Sequence, residues 1–201
     1  KVMKDSIPEN VQPKATVKKE LSELKNKLIL LGEKSHGIAT LAIDGLLEND
    51  LEKVNQAYGM DEYVDDLEMD IAHSCIRYMS LRSPVSSDLR LLLVALKASK
   101  DFERIGDEAH SIAQKSCKLL TTEGSLKNSL DLREMGTLTC QLVKDSITCF
   151  VEEDIDKAFL ILKKDREIDT INQKTYVFGI AHTEDEKKEI IQEAKQIVDL
   201  K

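Results

Sequence analysis

Glu103 and Asp107, in the run Glu103-Arg104-Ile105-Gly106-Asp107, stand four residues apart, so a helix there carries both carboxylates on one face. His110 extends that face by another turn. Upstream, Asp61, Asp65 and Glu68 share a second face, each one residue after an apolar position: Met60, Val64 and Leu67. When two such helices pair antiparallel, flanks displaced in the same sense either face each other or face apart. If they face each other, the carboxylates converge on one groove, where like charges raise one another's pKa. A divalent or trivalent cation relieves that repulsion, and an all-oxygen ligand set suits Mg, Mn, Fe or Zn. On periodicity alone, a solvated acidic face balanced by Arg77, Lys97, Lys100 and Arg104 is the commoner outcome. His36, His73 and His182 lack paired ligand spacing and read as surface or boundary residues. Gly106 inside a helix costs about 1 kcal/mol relative to alanine, which points to a close helix contact or to a tolerated surface glycine.

These residues need long helices to position them. Leu21, Leu24, Leu28, Leu31, Ile38, Ala42 and Leu46 recur at mostly three- and four-residue steps, predicting a helix from about Val17 to Leu47. The polar run Glu48-Asn49-Asp50 predicts a turn. A second helix is expected over about Leu51 to Leu81, ending before Pro84 because the residue preceding proline is pushed out of the helical region. Ser86 and Ser87 offer caps for a third, about Asp88 to Leu120, with Leu91, Ala95, Ala98, Phe102, Ile105, Ala109 and Ile112 as its stripe. The segment Thr121 to Lys127, with Gly124, reads as a connection.

The chain then repeats itself without gaps. An offset of 104 carries Gly32 onto Gly136, Asp50 onto Asp154, Lys53 onto Lys157, Asp61 onto Asp165 and Asp65 onto Asp169. Apolar positions follow, among them Ile43 onto Ile147 and Val64 onto Ile168. The organisation expected is all-α: two tandem three-helix bundles, the second abbreviated at its C-terminus, because the counterpart of Glu103 falls beyond Lys201. Residues 1–14 read as a polar lead or linker, 15–124 as the first repeat and 125–201 as the second, with Thr183 to Lys201 as one short charged helix.

Composition agrees with helices: charged residues make up 33% and aromatics 4% of 201 residues, with no Trp, whereas strands favour β-branched and aromatic side chains. A net charge of -8 gives no electrostatic drive toward nucleic acid and favours cationic partners. Cys75, Cys117, Cys140 and Cys149 form no C-x-x-C pair and are expected reduced and buried in a cytoplasmic protein. Neither a membrane-length apolar run nor a signal peptide is expected, although an upstream domain can precede Lys1.

The run Ser83-Pro84-Val85-Ser86-Ser87-Asp88-Leu89-Arg90, followed by Phe102-Glu103-Arg104-Ile105-Gly106-Asp107, resembles the signature of PhoU phosphate-uptake regulators. The pairs Leu31-Gly32 and Met135-Gly136, with Asp61, Asp65 and Glu68, match that family's doubled first and second helices, and the resemblance covers about Val17 to Val177. It implies paired three-helix bundles and surface metal clusters. It also implies a cytoplasmic, negatively regulating role that links a phosphate ABC transporter, through its ATPase subunit, to a sensor histidine kinase. Carried over, Glu103 and Asp107 are metal ligands with Asp65 and Glu68 as partners, and Asp61 and His110 stand as weaker candidates. Asp165 and Asp169 match in the second copy, but Asn172 replaces its acid and no second E-x-x-x-D follows, which puts a second site in doubt. A homodimer, peripheral to membrane proteins at most, is expected.

The sequence leaves two other functions open. The proline-containing lead is compatible with a linker from a sodium-phosphate cotransporter or other phosphate carrier. A di-metal carboxylate enzyme wants Glu-x-x-His from two helices, whereas Asp107-Glu108-Ala109-His110 occurs once. With no phosphate loop, nucleophile elbow or triad in the sequence, an enzyme is not expected.

Overall fold

The structure, a computed structural model, describes residues 14–122 and 130–179. Every regular element among them is a helix: α1 (Lys14–Glu48), α2 (Leu51–Tyr58), α3 (Asp61–Arg82), α4 (Ser86–Thr122), α5 (Leu130–Glu152) and α6 (Ile155–Gly179). The expected C-terminal helix over 183–201, His182, and nearly all of the polar lead and of the 121–127 connection lie outside the described residues.

α1, the α2–α3 arm and α4 form a three-helix bundle around Leu24, Leu28, Leu31, Ile38, Val54, Val64, Ile71, Cys75 and Leu92. α1 and α4 share the most extensive contact, and small buried residues permit it: Ala39 and Ala42 on α1, Ala95, Ala109 and Ala113 on α4. The buried hydroxyls of Ser35, Ser99 and Ser116 donate to carbonyls of their own helices, Leu31, Leu96 and Ile112 respectively, so they cross the apolar seam without an unsatisfied group.

The corner between α1 and α2 recurs between α5 and α6. Asn49 and Glu153 take positive φ of 57° and 56°, and the next residue caps the following helix. The Asp50 carboxylate accepts from the Glu52 and Lys53 amides, and Asp154 accepts from the Lys157 amide. Asp50 N–H donates to the Gly45 carbonyl and Asp154 N–H to that of Cys149. The ion pairs repeat too, Lys53 with Glu48 at 2.6 Å and Lys157 with Glu152 at 3.0 Å. Each partner lies 104 residues from its counterpart, so the internal repeat is a repeat of structure.

The single helix expected over Leu51 to Leu81 is two helices, a correction with a local cause. Gly59 closes α2, its N–H shared between the Asn55 and Gln56 carbonyls, and Met60 N–H reaches back to Ala57 in a tighter turn. The second copy has Lys163 at the matching position, and α6 runs through unbroken. The third helix opens at Ser86 after a left-handed Ser83 closes α3, so three residues reverse the chain and lay α4 antiparallel to α3.

The second repeat meets the first along α1 and α5. A Cβ added to Gly32 would lie 2.9 Å from Ile147 Cγ1, and one added to Gly136 would lie 2.6 Å from Ile43 Cγ2. These contacts are the same pair exchanged between copies, so the seam has an approximate two-fold axis. α6 packs mainly on α5, where Lys164 pairs with Asp145 at 3.3 Å. Ile155, Phe159 and Leu162 on α6 are exposed.

Candidate metal centre

The seam between α3 and α4 is set by one close approach. Gly106 is buried against Val64, whose Cγ1 would be 3.1 Å from an added Cβ. The mid-helix glycine therefore marks a close contact between helices. Val64 precedes Asp65, and Gly106 lies inside the Glu103 to Asp107 turn, so the same contact draws the acids of both helices together.

Asp65, Glu103 and Asp107 can each offer a carboxylate oxygen such that all three lie within 4.8 Å of one another. Two oxygens on opposite sides of a cation bound at about 2.0–2.4 Å are themselves about 4–5 Å apart, so the spacing fits an ion. Glu103 is the interior member. Its Oε1 accepts from Lys100 Nζ at 2.7 Å, while Oε2 is buried with no hydrogen-bond partner among the described residues. A buried acceptor left unsatisfied is costly, and a cation is one group that satisfies it.

Lys100 is held in its charged form. The hydrogen bond it donates to Glu103 raises its pKa most, burial opposes, and the charges of Glu103, Glu68 and Asp107 add to the rise. Glu68 is half-buried, close enough to act on Lys100 but outside the triad that converges. The Asp61 side chain lies outside the described residues. His110 stacks on Tyr58, ring centroids 4.4 Å apart at 30°, a contact that ties α4 to α2. Asp165 and Asp169 sit exposed on α6, and neither belongs to a converging group of three potential ligands among the described residues.

A cavity of about 290 Å³ between α1 and α3 is lined by ions already matched: Arg82 donates to both Glu20 oxygens at 3.1 and 2.8 Å, and Lys27 meets Asp70 at 2.7 Å. Nothing in sequence spacing pointed to the Glu20–Arg82 pair, which joins residues 62 apart. His36 is half-buried and His73 exposed. The expectation of four buried cysteines holds for Cys75 alone. Cys117, Cys140 and Cys149 are only partly covered. All four are free thiols. No helix among the described residues is long and apolar enough to cross a membrane.

Fold and site together define a doubled helical bundle with a carboxylate triad on the seam of its first half. The PhoU domain family matches residues 28–116 and 132–200, and the chain belongs to it. Over 150 residues it is 31% identical to a phosphate-specific transport system accessory protein PhoU homolog of Pseudomonas putida, covering 75% of this chain and 59% of that protein. The homolog from Aquifex aeolicus is 31% identical over 153 residues, 76% of this chain and 69% of its own length. This chain thus spans about six- to seven-tenths of these relatives. Among solved structures, PhoU from Pseudomonas aeruginosa superposes with a TM-score of 0.75 at 26% identity, covering 78% of this chain and 75% of that one. The phosphate transport system regulatory protein PhoU from Streptococcus pneumoniae gives 0.73 at 27% identity, covering 82% and 78%.

Proposed function

We propose that this chain is a non-catalytic, metal-binding regulator of phosphate uptake, acting in the cytoplasm as a homodimer. Its partners on this reading are a phosphate transporter's ATPase subunit and a sensor histidine kinase, and its output is repression of phosphate-starvation genes. The observation that carries the regulatory part is family membership over both repeats, together with relatives named as accessory proteins of phosphate-specific transport systems. Expression of the chain in a bacterium lacking its own PhoU tests it. Restored repression of a starvation reporter at high phosphate is expected, and constitutive reporter expression with the protein present at normal abundance argues against the role.

The metal part rests on the convergence of Asp65, Glu103 and Asp107 and on the buried Glu103 Oε2, which has no hydrogen-bond partner among the described residues. Glu68 and His110 flank the ligands. A divalent cation there supplies neutralising charge to three carboxylates, and the protein residues hold those carboxylates in place through the Gly106–Val64 contact. Because the ion binds the folded chain, it adds stability, about 2.7 kcal/mol at a hundredfold excess over Kd. The Glu103→Ala/Asp107→Ala variant is expected to lose retained metal and the rise in Tm with Mn(II). A control variant, Glu33→Ala/Glu134→Ala, removes two exposed acids elsewhere and keeps both properties. Equal metal content by elemental analysis in the two variants refutes the site.

A further inference from the structure

We infer that Lys100 is a tethered counter-ion of the carboxylate triad, a positive charge held beside the site that an incoming cation must face, and that it thereby lowers the affinity at which metal enters. The inference rests on the metal-binding reading above and assigns a role to a residue outside the ligand set.

Lys100 lies one turn before Glu103 on α4, and its Nζ reaches Glu103 Oε1 at 2.7 Å. The charges of Glu68 and Asp107 act on the same ammonium, which therefore feels more of the acids than its partner Glu103. The two partners differ in freedom: the Lys100 side chain is 58% exposed and that of Glu103 14%. Glu103 is therefore the fixed member of the pair and Lys100 the movable one.

A protonated amine has three donors and no lone pair, so it cannot join a metal's ligands. A cation held by the triad through Glu103 Oε2 would lie beside the ammonium on Oε1, so the two positive charges repel whether or not the Lys100–Glu103 hydrogen bond survives. That repulsion favours movement of the ammonium away from the bound cation. The long, flexible lysine stem permits that movement into water without disturbing the helix. Without metal, the same ammonium offsets part of the repulsion among Asp65, Glu103 and Asp107. Lys100 thus stabilises the metal-free chain and weakens the metal-bound one.

Titration calorimetry with Mn(II) on the full chain tests this through binding alone. Lys100→Gln is expected to bind Mn(II) about tenfold more tightly than the wild type, from the loss of one nearby positive charge. Its metal-free Tm should fall below that of Lys115→Gln, which removes the same charge from an exposed position two turns beyond Asp107. Lys100→Arg keeps the counter-charge and should stay within about threefold of wild-type affinity. If the wild type binds Mn(II) and Lys100→Gln binds no more tightly than Lys115→Gln, the role of Lys100 is overturned and the metal site stands. If none of the proteins binds Mn(II), the site itself is refuted and Lys100's role with it.

Discussion

Val64 and Gly106 show how a residue of no chemical reactivity can place reactive ones. The spacing of Glu103 and Asp107 was legible because residues four apart share a helix face whatever the helix packs against. Asp65 and Glu68 were both legible as candidates, since each follows a core residue. Which of them joins the triad was not legible, because that depends on the rotation of α3 about the Gly106 contact, and both rotations keep Val64 and Leu67 near the core. The stacking of His110 on Tyr58 had no local signal at all, because the two residues lie on helices brought together only by the folded bundle.

The Glu20–Arg82 pair yields a pH prediction at the same scale. The hydrogen bonds from Arg82 lower the Glu20 pKa from its usual 4.5, against burial, which raises it. A carboxyl depressed in the folded state contributes stability above its unfolded pKa and loses it as pH falls through the folded value. Arg82→Gln is therefore expected to be less stable than the wild type at pH 7, and the difference should vanish in acid, below the depressed Glu20 pKa. Urea denaturation at a series of pH values down to 3 measures it. A difference that persists unchanged at pH 3 would mean that Arg82 acts through packing and not through the ion pair.

At the scale of elements, the doubled corner was readable from its Asp and Lys at one fixed offset, and the structure adds the left-handed residue and the ion pair at the same offset. The break between α2 and α3 was missed, although Gly59 in a helical pattern was its signal and Lys163 in the second copy its control. The seam between α1 and α5 also turns on glycine. Gly136→Ala would set a methyl 2.6 Å from Ile43 Cγ2, on an α5 that Arg133 also holds through the Leu47 carbonyl. We expect it to destabilise the fold by about 1–3 kcal/mol, the usual cost of overfilling a packed contact. In an Ile43→Ala background the same change should cost much less, because the obstructing methyl is gone. Chemical denaturation of the four proteins of this cycle checks the coupling, and an equal cost in both backgrounds would remove Ile43 as the cause.

On the scale of the molecule, the all-helical character followed from composition and period, but α1's double role did not. Its Leu24, Leu28, Leu31 and Ile38 serve the first bundle, while Gly32 and Ile43 serve α5, and sequence alone does not say which face meets which neighbour. α1 consequently touches α2, α3, α4 and α5, whereas α6 leans mainly on α5 and leaves Ile155, Phe159 and Leu162 exposed. Amide hydrogen exchange should follow that hierarchy, slowest in the middle of α1 and fastest among the described helices in α6, because local opening costs less where fewer apolar contacts break. Protection in α6 equal to that of α1 would contradict it.

The exchanged contacts of Gly32 with Ile147 and Gly136 with Ile43 carry a historical meaning. In an isologous interface one residue of the first copy meets another of the second, and the reverse contact holds by symmetry. Duplication and end-to-end joining of a self-pairing half-length chain would leave a contact of that kind inside one chain, turning an association governed by concentration into a matter of folding. Fusion also frees the two halves to diverge. Here the two halves differ: the first has Gly59 and the converging acids, the second Lys163 and an unbroken helix.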